Sequence, residues 1–305
     1  MCHSYGINHH RTTTMNEAQI LLAIENLMKK VMRKTYHFQD LESDLSGLRK
    51  DAKLIYDSNR MYSPLIRAYF DLLPELIKKE DEIIFLSPIV FRQFQSALRQ
   101  DHKSFLSNNK KKRERNWEPF REYFEDMVRH HCKLLLVRVD LNYPEETHPG
   151  VTKFAEHMKV LLKRIHDKDT IFEGQIGYAY RLEQGGKSRG YHCHLLVIYH
   201  GSLHYKDSYY GHEIGQLWKA KITKGCGGFF NCNQASNKKK YRDKGTLGIG
   251  MIKRSDEKSV NNAFDAIRYL AMSEKDKQYL RVWWKRKSQF NMAENPWKDI
   301  DPKKL

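Results

Sequence analysis

Apolar positions recur at helical spacing through the first third of the chain, and period-2 runs join them later. From Asn16 to Lys34, the residues Ile20, Leu21, Ile24, Leu27, Met28 and Val31 return every three or four positions, which predicts a helix. Asn16 is suited to cap it, and Glu17 puts a negative charge in the first turn, where the helix dipole favours one. Leu65–Leu73 predicts another helix, ended by Pro74. Ser87-Pro88 has the form of a cap followed by Pro at the first helical position, opening Ser87–Leu98. Residues 1–15 are polar and aperiodic, as a loose tail is. Residues 1–106 are therefore expected to be all-helical, and they carry no motif tied to chemistry. The polar, basic run 107–117 lacks periodicity and reads as a linker, either a solvated connector or an arm that meets phosphates.

Beyond a short helix at Glu118–His130 the pattern changes. Lys133–Leu141 is a β-rich run that ends at the turn Asn142-Tyr143-Pro144, and Val151–His166 is helical. Ile176–Glu183 and Tyr191–Tyr199 form two strands joined through Gln184–Gly190, a hairpin or near-hairpin. His212–Ala220 reads as helix, Phe229–Asn233 and Gly248–Met251 as short strands, and Val260–Met272 as an amphipathic helix. Strands mixed with helices and joined by a short turn predict an α+β fold with a central antiparallel sheet and flanking helices. Its body is expected over residues 118–290, with 291–305 as a C-terminal tail.

Charge narrows the partner. Lys and Arg total 54 against 37 Asp and Glu, a formal net charge of +17 over 305 residues. Such an excess favours a polyanion: nucleic acid first, an anionic membrane surface second. No run approaches the roughly 18 apolar residues of a membrane span, and the start has no apolar signal-peptide core. Five scattered cysteines make no disulfide framework. A cytoplasmic location without membrane contact is the expectation.

The chemistry concentrates in Gly190-Tyr191-His192-Cys193-His194-Leu195. Side chains alternate along a strand, so His192 and His194 share one face and Cys193 takes the other. In one strand register Glu183 and Arg181 join that face; slipped by one residue, Leu182 and Tyr180 would sit among the imidazoles, which patterning disfavours. A His, His, Glu set with open positions suits Mg²⁺ or Mn²⁺, and such an ion can polarise a phosphate oxygen. Cys226 and Cys232 with the histidines could instead form a zinc site, although their spacing fits no common structural pattern. On the helix at Val260–Met272, Tyr269 falls at the edge of the polar face, placed either to act or to pack its ring at the boundary. Tyr279 is its rival. Arg138 and Asp140 share a strand face, as an internal ion pair or as a groove lining. Lys238-Lys239-Lys240-Tyr241-Arg242 reads as a mobile basic loop whose cations and aromatic ring suit single-stranded DNA.

These residues resemble a family. The His-hydrophobe-His strand, the acidic residue before it and a Tyr on a later helix are similar to the HUH endonucleases. The nearer likeness is to the replication initiators of filamentous phages (inoviruses), the gene II protein type, and their prophage-encoded relatives. Arg138-Val139-Asp140-Leu141, Leu182-Glu183-Gln184-Gly185, the histidine strand and Ile222-Thr223-Lys224-Gly225 carry the resemblance, with Gly248-Ile249-Gly250, Ile267–Ala271 and Gln278–Arg281. It covers roughly residues 118–290. The resemblance implies an HUH endonuclease-like fold and site-specific nicking and joining of single-stranded DNA, or of a supercoiled origin, to start rolling-circle replication. Tyr269 would be the nucleophile, forming a 5′-phosphotyrosine link, and His192, His194 and Glu183 would hold Mg²⁺ or Mn²⁺. Relatives often carry Lys three residues after the tyrosine; Met272 stands there, and Lys275 is the candidate to replace it. Arg138, Lys187, Arg189, Lys224, Lys238, Lys239, Lys240, Arg242, Arg268 and Arg281 are the expected DNA contacts. A host helicase and polymerase are further expected partners. The alternatives are a non-catalytic DNA-binding regulator on the same scaffold, and a related transposase or relaxase.

Overall fold

A computed structural model describes residues 15–73, 87–185, 190–272, 278–283 and 288–298. Lys187, Arg189 and Lys275 lie outside the described residues. The N-terminal region is helical, with α1 at Glu17–Val31, α2 at Leu41–Ile55 and α3 at Pro64–Asp71. Asn16 caps α1 in a full capping box with Gln19. A two-residue strand not expected from the sequence, β1 (Met61–Tyr62), sits between α2 and α3.

The expected linker is helical. From its Ser87 cap, α4 runs unbroken over Pro88–His130 and joins the two helices predicted on either side of residues 107–117. Lys, Arg and Glu are good helix formers, so a polar run can be helix when both flanks are helical. Ion pairs spaced three or four residues apart support it, among them Arg121 with Glu118 and Glu125. Pro119 lies inside and removes one hydrogen bond from the ladder.

Next come β2 (Lys133–Asn142), α5 (Val151–His166), β3 (Gln175–Gln184) and β4 (Tyr191–His200), close to the predicted ranges. They are followed by α6 (Asp207–Gln216), β5 (Gly228–Asn231), α7 (Ala235–Asp243), β6 (Gly250–Lys253) and α8 (Glu257–Met272). The expected basic loop at 238–242 is thus the helix α7. Two short strands, β7 (Val282–Trp283) and β8 (Phe290–Met292), close the series. The main sheet is antiparallel in the order β5-β2-β4-β3-β8, and β6 pairs with the other half of the β2 edge that β5 occupies. β7 pairs with β1, bringing the end of the chain back to the helical region.

The sheet is buried on both faces. Leu134, Leu136, Leu196 and Ile198 on one face pack with Ile267 and Leu270 of α8 and with Phe120, Phe124 and Met127 of α4. On the other face, Leu135, Val137, Val139, Leu195 and Val197 pack with Phe154, Leu161 and Trp218 in the same apolar cluster as α1 and α3. The described part of the expected tail, residues 291–298, is packed: β8 pairs with β3, and Trp297 stacks on His130.

Candidate metal centre and nucleophile

The register of the hairpin decides the site. Arg181 pairs with His194 and Glu183 with His192, so all four side chains share one face while Cys193 is buried on the other. Across the next strand boundary Asp140 of β2 pairs with His194. Gly190 turns the chain just before His192 with φ +27°, and a Cβ there would collide with the His148 ring.

Hydrogen bonds fix both imidazoles. Nδ1 of His194 lies 2.6 Å from Asp140 Oδ1, and Nδ1 of His192 lies 3.3 Å from the Gly190 carbonyl oxygen. Carboxylate and carbonyl only accept, so each Nδ1 carries the proton. In the neutral rings this aims both Nε2 lone pairs at Glu183 Oε2, each 3.3 Å away. Two lone pairs and a carboxylate oxygen repel unless protons or a cation lie between them. The three ligand atoms lie within 4.8 Å of one another. Neighbouring ligands around an octahedral ion at ~2.1 Å would lie ~3 Å apart, so the donor set fits a small divalent cation. Among the described residues no other group of three or more such side chains could hold a metal. Cys232 is a buried free thiol outside the group, pushed up to about 12, chiefly by burial.

Charge follows the same geometry. Burial works to raise Glu183, but hydrogen bonds from both imidazoles and the charge of Arg181 hold it well below the usual carboxylate range. Burial works to lower His194, and its bonds to Asp140 and Glu183 outweigh that and raise it.

Two arginines connect this cluster to α8. Arg181 places Nε 2.8 Å from Glu183 Oε1 and donates from Nη1 to the carbonyl oxygens of Ala271 at 2.7 Å and Leu270 at 3.4 Å. Arg138 lies 3.5 Å from Asp140 Oδ1, and its guanidinium carbon is 5.5 Å from the centre of the Tyr269 ring. Tyr269 itself is 46% exposed. The open choice for Arg138 and Asp140 resolves as both roles: they are ion-paired, and they line the face between histidine and tyrosine.

The other expected residues divide. Lys239, Lys240 and Arg242 are exposed on α7, and Lys224 is exposed in the loop before β5. Lys238 is tied to Asp207 at 2.5 Å, and exposed Arg268 lies over the Trp117 ring of α4. Arg281 is a correction: it is 1% exposed, with Nη2 2.8 Å from Glu25 of α1, so it is no DNA contact. Tyr279 is buried beside it, and its hydroxyl donates to Glu25 of α1. Asp140, bonded to His194, is the site residue whose role sequence alone left open.

Fold and site together define an α+β protein with a His, His, Glu cluster on one face of an antiparallel sheet and an exposed tyrosine on the helix covering that face. The chain belongs to the family of the YagK/YfjJ C-terminal domain, whose model matches residues 90–281. No curated protein and no solved structure matches it.

Proposed function

We propose that this protein is an HUH-type nuclease that cuts and rejoins single-stranded DNA through Tyr269, starting rolling-circle replication of a phage or other mobile element. Its family is compatible with a prophage-encoded protein. The carrying observation is the single face that holds His192, His194 and Glu183 and reaches Tyr269 through Asp140 and Arg138. His192, His194 and Glu183 would hold Mg²⁺ or Mn²⁺, which when bound neutralises charge on a phosphate oxygen. The Tyr269 hydroxyl gives its proton to solvent as its oxygen attacks phosphorus, the bond to the 3′ oxygen breaks, and that oxygen takes up a proton from solvent to leave as a hydroxyl. The product is a 5′-phosphotyrosine, and attack by a 3′-hydroxyl reverses the step without ATP. Arg138, between Asp140 and the tyrosine ring, presents positive charge where the phosphate would lie.

One observation favours a second reading, a DNA-binding regulator without catalysis: Met272 stands where the resembling enzymes often carry Lys.

Incubation with labelled single-stranded DNA and Mn²⁺, followed by a denaturing gel, separates the two. The wild type should retain label covalently, and Tyr269→Phe should lose it while still binding the oligonucleotide. Tyr279→Phe should behave as wild type, and the His192→Ala, His194→Ala double variant should form no adduct. An adduct persisting in Tyr269→Phe would overturn the tyrosine's role, and no adduct in the wild type would favour the regulator.

A further inference from the structure

The row of side chains across the sheet extends beyond the histidine cluster. Cross-strand partners in an antiparallel sheet project from the same face. Phe230 of β5 pairs with Asp140, Asp140 with His194, and His194 with Arg181. With strands ~4.8 Å apart, two spacings put Phe230 about 10 Å from His194 along the row, the scale of a nucleotide. The row is polar and bonded up to its last member. Phe230 is 47% exposed at the sheet edge and belongs to neither apolar cluster. The strand's demand for a core aromatic is met by the residue before it, since Phe229 packs against the opposite core and near His212. Gly228, next along the face of Phe230, has no side chain to cover that ring.

We infer that Phe230 is a stacking platform for a base of single-stranded DNA, within a nucleotide or two of the phosphate held at the histidine cluster. This deepens the nicking reading and rests on it. Every base offers an apolar π-face, so a solvent-facing ring beside a phosphate site suits a single strand of any sequence. Charge along the same edge fits. Asn233, just past β5, bridges to β2 by accepting from the Arg138 backbone N–H and donating to the Leu136 carbonyl. Asn237 donates to the Cys232 carbonyl and Lys238 is tied to Asp207, which pins α7 near the end of β5. Lys239, Lys240 and Arg242 remain exposed on α7 and can take the phosphates of the strand that runs past Phe230.

The test uses full-length protein without metal and single-stranded oligonucleotides carrying 2-aminopurine at successive positions, since stacking on an aromatic ring quenches its fluorescence. Wild type should quench the probe at one position. Phe230→Ala should bind roughly tenfold more weakly or worse and lose that quench, the usual result of removing one base–aromatic stack. Phe230→Trp should restore both, and the salt dependence of binding should match wild type in both variants. The ring is exposed, so the variants should fold, with unchanged circular dichroism. Phe230→Ala with wild-type affinity and quench would overturn the inference, as would a loss that Trp does not restore, or a change only in self-association. If the wild type binds no single-stranded oligonucleotide, the nicking reading itself falls, and the stacking platform with it.

Discussion

Asp140 sets which nitrogen of His194 faces the cluster. By accepting from Nδ1 at 2.6 Å, it leaves Nε2 facing the cluster, and its negative charge would make the ring a better ligand for the proposed cation. In Asp140→Asn the amide can donate to Nδ1 instead, which would move the ring proton to Nε2. Mn²⁺ affinity should then fall by ~10–100-fold, the usual cost of losing such an orienting group, as followed by calorimetry or electron paramagnetic resonance. Unchanged affinity would show that His194 does not ligate through Nε2. The histidines and Glu183 were legible in the sequence because the two-residue strand period puts His192 and His194 on one face whatever their neighbours do. The hairpin then left only two registers to choose between. Asp140 was visible only as half of a pair with Arg138. Its bond to His194 depends on the register between β2 and β4, a pairing of residues 54 apart that no local pattern encodes.

Between elements, one buried carboxylate joins the helical region to the end of the chain. Glu25 of α1 takes the Arg281 guanidinium at 2.8 and 2.9 Å and the Tyr279 hydroxyl, with Lys29 at 3.1 Å. Burial works to raise its pKa, but Arg281, Tyr279 and Lys29 outweigh burial and lower it. A carboxylate lowered on folding stabilises fully above its unfolded value of 4.5 and loses that contribution as pH falls through the lower folded value. Glu25→Gln removes one buried charge from the pair with Arg281 and should cost ~3–5 kcal/mol near neutral pH, read from urea unfolding. The gap to wild type should narrow as pH drops below about 4.5. A gap that held constant with pH would mean that Glu25 does not act through its charge. The same cluster explains why the sequence offered Tyr279 as a rival nucleophile and Arg281 as a DNA contact. A tyrosine and an arginine near a basic run suit either role, and the carboxylate that buries both lies more than 250 residues away. For α4 the error was of another kind: a polar run without periodicity was read as a break, although its residues favour helix and both ends were already helical.

At the scale of the whole chain, +17 of charge is spread over a body whose sheet is covered on both sides. The antiparallel α+β architecture was legible because strands and helices differ in period and because the turn at residues 185–190 is short. The docking of the helical region onto the sheet was not, since α1, α3 and the sheet share a core only through long-range packing. No helix among the described residues is long and apolar enough to cross a membrane. On the proposed reading, Tyr269 of α8, beside the sheet face that gathers the histidine cluster, would attack a phosphodiester held there. Peptide mapping tests it directly. Cleavage after Arg268 and Lys275 releases Tyr269 in one tryptic peptide, and cleavage after Lys277 and Arg281 releases Tyr279 in another. After incubation with a single-stranded oligonucleotide and Mn²⁺, then nuclease trimming and digestion, mass spectrometry should find nucleotide mass on peptide 269–275 and none when the metal is chelated. Nucleotide mass on peptide 278–281, or cut DNA with no modified peptide, would contradict the account.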